Sequence, residues 1–325
     1  MKRSLALVLC VVLALSVLLV GCESKPATLK FGFGVYTGTP AATDATADKD
    51  GSGKLDITFA AITVNADGKI VACDLDTASN SIAFTADGKA VAATEFKTKY
   101  EQGNDYNMVT YGGAAKEWYE QADAFETVVA GKTLEEVTAL VGEDKKGNSD
   151  VIAAGCTIMI NEFVAAIEKA YVAAADSNVT AEDTLKVTAY TEATGTDATA
   201  DKDGSNKVAT TVFGAAVDAN GKVVAAASDC VELAFTFDTK GASTLDTTKA
   251  VLSKKEQGAD YGMVAYGGAA KEWFEQAAAF DAACVGKTAT EIAGLVAEDG
   301  KGVADLQTAG CTIYVTGFVK AASKI

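Results

Sequence analysis

Two short stretches of the sequence place a glycine, a cysteine and a threonine in a row, a few residues after an aspartate. Glycine lets a backbone corner approach a ligand closely because it has no Cβ, and the threonine offers a hydroxyl there. A helix is expected to begin within a turn, capped by Asn161 or Thr316, and a helix N-terminus favours a phosphate. The alternative is that each threonine only opens a strand or helix. The candidate residues are Asp150, Gly155, Cys156 and Thr157, and then Asp305, Gly310, Cys311 and Thr312.

An aspartate-rich stretch is the second candidate site. Asp48, Asp50 and Asp56 follow the spacing of the first nine positions of an EF-hand loop, whose carboxylates bind calcium. The twelfth position, where a bidentate glutamate is needed, is Phe59. The second copy has Ala209 at the ninth position. A solvated hairpin tip is therefore favoured over a calcium site.

The chain contains a long internal repeat. Segments 101–120 and 256–275 differ at only four of twenty positions, and the Gly-Cys-Thr element follows each segment at the same offset. Two copies of one domain therefore carry two copies of one candidate site. A recent duplication that left identity without function is the alternative.

Composition excludes several kinds of chemistry. The sequence has no histidine, and its only arginine is Arg3. Catalysis by Ser-His-Asp or Cys-His groups is excluded, and so is zinc or haem bound through histidine. Without Lys2 and Arg3 the chain has 26 Lys+Arg against 44 Asp+Glu, a net charge near −18. Such a surface repels nucleic acid, so we expect no nucleic-acid partner.

Strands are predicted in the first part of each copy. Runs of β-branched and small apolar residues alternate with Asp-Gly and Asn-Gly dipeptides, which supply the positive φ of tight hairpin turns. The predicted strands are 31–36, 55–64 and 70–75 in the first copy, and 185–190, 208–217 and 223–227 in the second. The predicted turns are Asp67-Gly68, Asp87-Gly88 and Asn220-Gly221.

Helices are predicted in the second part of each copy. Trp118, Ala122, Phe125 and Val129 recur at helical spacing, and Trp118 is interpreted as a core anchor. Two capping boxes start short helices, at Thr133 with Glu136 and at Thr288 with Glu291. Final helices are expected over 162–174 and 318–325. The residues next to Lys116 and Lys271, which are Glu117 and Glu272, are expected on a solvated face.

Strands followed by helices indicate an α+β fold class. We predict two tandem homologous domains, each an antiparallel β-sheet packed against helices on one side. The first spans 29–175 and the second 185–325, joined by a polar linker at 176–184.

The beginning of the sequence predicts export. Lys2 and Arg3 precede an apolar run over 5–20, too short for a stable membrane span and typical of a secretory signal. Its end resembles the bacterial lipoprotein signal box, which implies a signal peptide at 1–21, lipidation of Cys22, and a tether at 22–28. The protein is then extracytoplasmic and anchored to a bacterial membrane. An ordinary cleaved signal is the alternative.

Five cysteines besides Cys22 follow the predicted signal, and an odd number leaves at least one unpaired. Bridges between Cys73 and Cys156, and between Cys230 and Cys311, are possible outside the cytoplasm. The other possibility is that these residues and Cys284 are free, because cysteine is a common small buried residue.

The hairpin sequence Asp-Gly-Lys-Ile-Val at 67–71, a helix, and then the Gly-Cys-Thr element before a final helix resemble the FMN-binding domain family. The resemblance covers both copies, and it is strongest to membrane-anchored bacterial lipoproteins, which share the Met-x-x-Tyr of 108–111 and 263–266. In flavin-carrying members a transferase esterifies the threonine of Asp-x-x-Ser-Gly-Ala-Thr with FMN. The resemblance thus implies Thr157 and Thr312 as acceptors, with alanine and cysteine replacing the motif's serine and alanine.

Three functions are compatible with the sequence. The first is a lipid-anchored electron carrier with covalent FMN and a redox partner, in which the cofactor supplies the chemistry. The second is a flavin-free surface lipoprotein with a binding or envelope-structural role. The third is a calcium-dependent adhesion module. An electron-transfer or binding protein is favoured over a hydrolase or transferase.

Overall fold

The computed structural model describes residues 26–92 and 95–325. The predicted signal peptide and Cys22 lie outside these residues, as does the first part of the predicted tether.

Eight strands lie within the described residues. They are β1 (Lys30–Thr37), β2 (Ala41–Thr43), β3 (Gly51–Val64), β4 (Ile70–Phe84), β5 (Ala175–Asp176), β6 (Thr184–Thr196), β7 (Gly204–Val217) and β8 (Val223–Phe237). In the first sheet β3 pairs with β1 and β2 on one side and with β4 on the other, and β5 pairs with β1. The second sheet has the order β6-β7-β8. All pairings are antiparallel.

Helices follow the strands in each half. They are α1 (Lys99–Gln102), α2 (Trp118–Val129), α3 (Leu134–Thr138), α4 (Ser149–Ala154) and α5 (Asn161–Ala173), then α6 (Lys254–Gln257), α7 (Trp273–Cys284), α8 (Ala289–Ala293), α9 (Ala304–Thr308) and α10 (Thr316–Ala322). The predicted α+β class is confirmed.

The predicted turns and capping boxes are confirmed. Gly68 and Gly221 have φ angles of 74° and 75°, as the hairpin turns require. At the start of α3, Thr133 accepts a hydrogen bond from the Glu136 N–H, and the Glu136 carboxylate accepts one from the Thr133 N–H. The residues at α8 repeat this arrangement.

The strands are longer than predicted. The sequence predicts that the third strand ends at residue 75, whereas β4 continues to Phe84. Polar residues interrupt the apolar pattern there although they are buried. Thr77 hydrogen-bonds Thr58 across the sheet at 2.9 Å, and Asn80 Nδ2 donates to Thr210 Oγ1 of the other half at 2.6 Å. Such partners are tertiary contacts, which periodicity does not reveal.

Each sheet packs its helices on one face and the other sheet on the opposite face. Trp118, Phe125 and Ile167 cover the outer face of the first sheet, and Phe280 and Phe318 cover that of the second. A shared core fills the space between the sheets. It includes Phe31, Phe33, Val35, Ile57 and Phe59 of the first half with Val208, Val212, Leu233, Phe235 and Phe237 of the second. The result is four layers: helices, sheet, sheet, helices.

Contacts between the halves occur in reciprocal pairs. The Ala45 N–H donates to Gly241 O at 2.8 Å, and the Ala198 N–H donates to Gly88 O at 2.7 Å. Ala198 and Gly241 lie 153 positions after Ala45 and Gly88, so each bond is the image of the other. An interface in which residue i contacts j and j contacts i is isologous, as in two-fold dimers.

Two further features follow the same pseudo-two-fold relation. The rings of Phe84 and Phe237, which hold equivalent strand ends, stack with centroids 4.6 Å apart. Lys324 pairs with Glu101 at 2.6 Å, and Lys169 pairs with Glu256. The two halves therefore sit against each other as two subunits of a symmetric dimer would.

The predicted linker is mostly exposed, as its polar composition indicates, but it is anchored at two points. Ala175 and Asp176 form β5 on the edge of the first sheet. Val179 is fully buried in the shared core, and its carbonyl accepts the Leu29 N–H at 2.7 Å. The segment is polar in composition, but its one buried apolar residue, Val179, attaches it to the core.

The five described cysteines are free. The predicted bridges Cys73–Cys156 and Cys230–Cys311 are absent from the described residues, and the alternative of free, mainly buried cysteines holds. Cys156, Cys230, Cys284 and Cys311 are buried.

A substitution at a glycine on β7 tests how closely the two sheets pack. A Cβ on Gly214 would lie 2.3 Å from the Phe33 ring of the other half. We predict that Gly214→Ala lowers the free energy of unfolding by about 1–3 kcal/mol in urea denaturation, because overpacking forces the sheets apart. The positions equivalent to Gly214 and Phe33 in the other copies are Ala61 and Val187. Adding Phe33→Val to Gly214→Ala reproduces this alanine and valine pair and should restore part of the lost stability.

Gly294→Ala is the control for this substitution. Gly294 has an ordinary φ of −82°, and its added Cβ would lie 3.4 Å from the nearest atom. It should change the free energy of unfolding by less than about 0.5 kcal/mol. Equal losses in Gly214→Ala and Gly294→Ala would contradict close packing between the sheets.

Candidate functional site

The two Gly-Cys-Thr elements form identical backbone corners. Gly155 ends α4 in the left-handed region, with φ of 104°, and its N–H donates to Ile152 O. The next N–H, of Cys156, donates to Val151 O at 3.1 Å. Gly310 also has φ of 104°. Only glycine adopts this conformation without strain, so the corner explains the glycine in both copies.

A buried glutamine holds each threonine. The N–H and the Oγ1 hydroxyl of Thr157 both donate to Gln121 Oε1, at 2.9 and 3.0 Å. The corresponding distances from Thr312 to Gln276 Oε1 are 2.8 and 2.9 Å. Both threonines remain exposed at the surface. The glutamine therefore holds the side chain of each exposed threonine in one orientation.

Gln121 itself is fixed by the start of α2. It is 1% exposed on the face that carries Trp118 and Phe125, and its Nε2 donates to Lys116 O at 3.0 Å. Gln276 repeats the contact with Lys271 O. Sequence reasoning missed both glutamines, although a glutamine at helical spacing from buried aromatic residues, in both copies, was the available signal.

A lysine ammonium lies against each glycine. A Cβ on Gly155 would be 2.4 Å from Lys116 Nζ, and a Cβ on Gly310 would be 2.3 Å from Lys271 Nζ. Lys116 Nζ is also 3.5 Å from Ala154 O. The missing glycine side chain thus leaves room for a positive charge beside the threonine corner. The sequence pattern assigned these lysines no role.

Glu117 and Glu272 correct another expectation. They do not lie on a solvated face: Glu117 is 6% exposed, and Glu272 is half-buried. The Glu117 carboxylate accepts the N–H groups of Met108 and Val109, at 2.8 and 3.2 Å. Glu272 accepts the N–H groups of Met263 and Val264 in the same way. These carboxylates hold the loops 107–115 and 262–270 against the helices.

Each of these loops exposes a tyrosine. Tyr111 is 85% exposed and Tyr266 is 91% exposed, whereas Trp118 and Trp273 are buried. The tryptophans pack against Phe163 and Phe318, with ring centroids 5.6 Å apart. Of the two tyrosines and the two tryptophans, only the tyrosines are therefore available to a ligand.

The predicted aspartates lie away from the corner. Asp150 and Asp305 are exposed residues in the first turns of α4 and α9, and the corner glycine follows the other end of each helix. A carboxylate in a first turn is favourable to the helix dipole. Asn161 and Thr316 are the first residues of α5 and α10 rather than their caps.

The cysteines of the two elements are packing residues. Cys156 and Cys311 are fully buried. Burial raises the pKa of each thiol to about 11. The neutral thiol is a poor nucleophile and metal ligand, so neither residue has the environment of a reactive cysteine.

The aspartate-rich stretch forms an exposed turn at 46–49, as favoured from the sequence, and not the alternative calcium loop. Asp50 precedes β3 and Asp56 lies within it, in register with Ser79. Six residues of extended chain span about 20 Å, far beyond the reach of one cation. Within 26–92 and 95–325, no three acidic or cysteine side chains form a group able to hold a metal ion.

Comparisons with protein-family models, curated proteins and solved structures find no match to this chain. None of the helices in the described parts of the chain combines the length and apolar character of a membrane span.

The corner glycine supplies the test of this geometry. Gly155→Ala places a side chain both in the left-handed region and against Lys116, whereas Gly131→Ala, at φ of 83° with open space around it, has only the first problem. Lys116 Nζ is the end of a flexible, half-buried side chain and can move aside, so we predict a loss of roughly 1–2 kcal/mol for each variant in urea denaturation.

Combining Gly155→Ala with Lys116→Ala should change this loss by less than about 0.5 kcal/mol. A loss for Gly155→Ala far below that for Gly131→Ala would contradict the left-handed corner.

Proposed function

We propose that the protein is an electron carrier that holds FMN covalently through Thr157 and Thr312. The observation that carries this proposal is an exposed threonine at a glycine corner whose space holds a lysine ammonium, repeated in both halves. When bound, FMN supplies the redox chemistry, and the chain provides attachment and electrostatics.

The residues present suit a phosphate ester. Esterification removes the hydroxyl proton, so Thr157 then keeps only its N–H bond to Gln121. That bond still fixes the direction of the threonine side chain. Lys116 and Lys271 are the cations that would face the two phosphates, in a chain that has no arginine after Arg3. A lysine acts on a phosphate as a point charge and needs no planar fork.

The remaining parts of the proposal rest on the sequence. Lipidation of Cys22 would anchor the carrier to a bacterial membrane outside the cytoplasm, and more than one acyl chain is needed for stable anchoring. A flavin transferase would modify the two threonines, and a redox partner would exchange electrons with the carrier. The acidic composition still argues against nucleic acid as a partner.

A flavin-free binding lipoprotein is the second candidate. Two observations favour it: the threonine hydroxyls already have an acceptor in Gln121 and Gln276, and the tyrosine loops are uncharged and exposed. An exposed tyrosine on a fixed loop is a common contact in protein recognition. Calcium-dependent adhesion has no comparable support, because Asp56 lies within the extended strand β3 and Asp50 precedes that strand.

The mass and visible spectrum of the protein purified from its native host separate the two candidates. An electron carrier should show a flavin absorbance band and two FMN mass increments. Thr157→Ala and Thr312→Ala should each remove one increment, because the ester oxygen is lost, and the double variant should be colourless.

Thr157→Ser with Thr312→Ser is the matched control, since serine keeps a hydroxyl at the same corner and should retain some flavin. A colourless wild-type protein of unmodified mass would exclude the carrier and leave the binding candidate. Covalent flavin that persists in the double alanine variant would place the attachment elsewhere.

A further inference from the structure

One edge of the interface between the halves contains a cavity of about 250 Å³. It lies where β4 of the first half runs beside β6 of the second. The residues that line it and matter here are Asp74, Asp76 and Tyr100 from the first half, and Val187, Ala189 and Lys324 from the second.

Two side chains join the halves across this edge. Asp74 Oδ2 accepts the backbone N–H of Val187 at 2.7 Å. Lys324 Nζ donates to Ala189 O and pairs with Glu101, both at 2.6 Å. These groups satisfy the outer backbone positions of β6, which a neighbouring strand would otherwise satisfy. Closure of the edge therefore depends on one carboxylate and one ammonium.

The carboxylate belongs to an acidic cluster. Glu126 of α2 accepts the Leu75 N–H at 2.8 Å, next to Asp74 in the chain. Asp76 accepts the Tyr100 N–H, and the Tyr100 hydroxyl donates to Asp123. The other charged groups near the cluster are Glu101 of α1, Glu120 of α2, Lys186 of β6 and Lys324, and the titratable thiol is that of Cys73.

The equivalent cluster in the second half contains a lysine close to its carboxylates. Ala227 replaces Asp74, Asp281 replaces Glu126, and Lys255 replaces Tyr100. Lys255 Nζ lies 3.4 Å from Asp281, which also accepts the N–H and hydroxyl of Ser228. A cation therefore neutralises the second cluster, whereas the first has a tyrosine at the same position.

Burial is the main cause of the raised pKa values in the first cluster, and repulsion between neighbouring carboxylates raises them further. Burial and then the charge of Asp74 raise the pKa of Glu126 to about 9. Burial raises the pKa of Asp74 to about 6 and that of Asp76 to about 7. Near neutral pH, Glu126 is thus protonated while Asp74 is largely ionised and accepts the Val187 N–H.

We propose that the β4–β6 edge is a proton-controlled latch between the two halves. It is closed while Glu126 carries a proton. Ionised Glu126 repels Asp74 inside a poorly solvated cluster, and Asp74 relieves the repulsion by turning toward water and releasing Val187. The opposite edge, between β1 and β8, has Ala227 at the position of Asp74 and no such latch.

The direction of the pH effect follows from the raised pKa values. The folded state binds more protons than the unfolded chain between the unfolded pKa of Glu126, near 4.5, and its folded pKa of about 9. Stability therefore falls as pH rises through this window and levels off above it. The first hydrogen bond to be lost as pH rises should be the one at the latch, because Asp74 of the cluster accepts the Val187 N–H directly.

Amide hydrogen exchange of the full chain at a series of pH values tests the proposal. After correction for intrinsic exchange rates, protection of the Val187 amide should fall by at least roughly tenfold between about pH 6 and about pH 9.5, since one unit of pKa shift is a tenfold effect. The Leu29 amide, whose acceptor is the backbone oxygen of Val179, should keep its protection.

Three variants complete the experiment. Glu126→Gln keeps an acceptor for Leu75 and abolishes the charge, so Val187 protection should become independent of pH. Tyr100→Lys introduces the cation of the second half and should have the same effect. Glu135→Gln, an exposed position on α3, is the control and should behave as wild type.

Three results would overturn the latch, and the first two concern Val187 alone. One is a wild-type Val187 protection that does not change with pH. The other is an unchanged pH dependence in both Glu126→Gln and Tyr100→Lys. Equal loss of protection at Val187 and Leu29 would show global unfolding instead of a local latch and would also refute it.

Discussion

The structure depends on the packing of two β-sheets against each other through a shared aromatic and aliphatic core. Phe33 and Phe235 lie over Gly214 and Gly53 of the opposite sheet, where the absence of a Cβ allows close approach. Neither sheet has another way to cover this face, because helices occupy the opposite one. The burial of apolar surface here holds the two halves together through one continuous core.

This arrangement leaves the threonine corners free on the outer layers. The same contacts occur twice: a glycine with positive φ, a threonine bonded to a buried glutamine, and a lysine in the space that glycine leaves. The halves differ at the interface edge, where Tyr100 and Lys255 occupy equivalent positions beside the buried carboxylates of Asp76 and Asp281. Surface chemistry is thus shared by the halves, while the electrostatics of their junction differ.

Local features were predicted well because neighbouring residues cause them. The Asp-Gly and Asn-Gly turns, the capping boxes at Thr133 and Thr288, and the amphipathic helix from Trp118 all depend on residues within a few positions. Predictions failed where a distant partner decides the outcome. Asn80 can lie buried in a strand because Leu55 pairs with its backbone and Thr210 of the other half accepts a hydrogen bond from its side chain. Glu117 is buried because it accepts the N–H groups of a loop. The strand predicted from residue 55 begins at Gly51, because Gly51 to Lys54 pair with residues 81–84 of β4.

The sequence by itself determined the α+β class, the repeat and the glycine-threonine corners, because turn chemistry, periodicity and the freedom of glycine act locally. Only the tertiary structure decided that the two sheets share a core, that Lys116 and Gln121 belong to the corner, and that Asp74 bonds to Val187. Those contacts join residues brought together by the packing of whole sheets and helices. Their energies depend on burial, and burial is a property of the assembled fold rather than of any one segment.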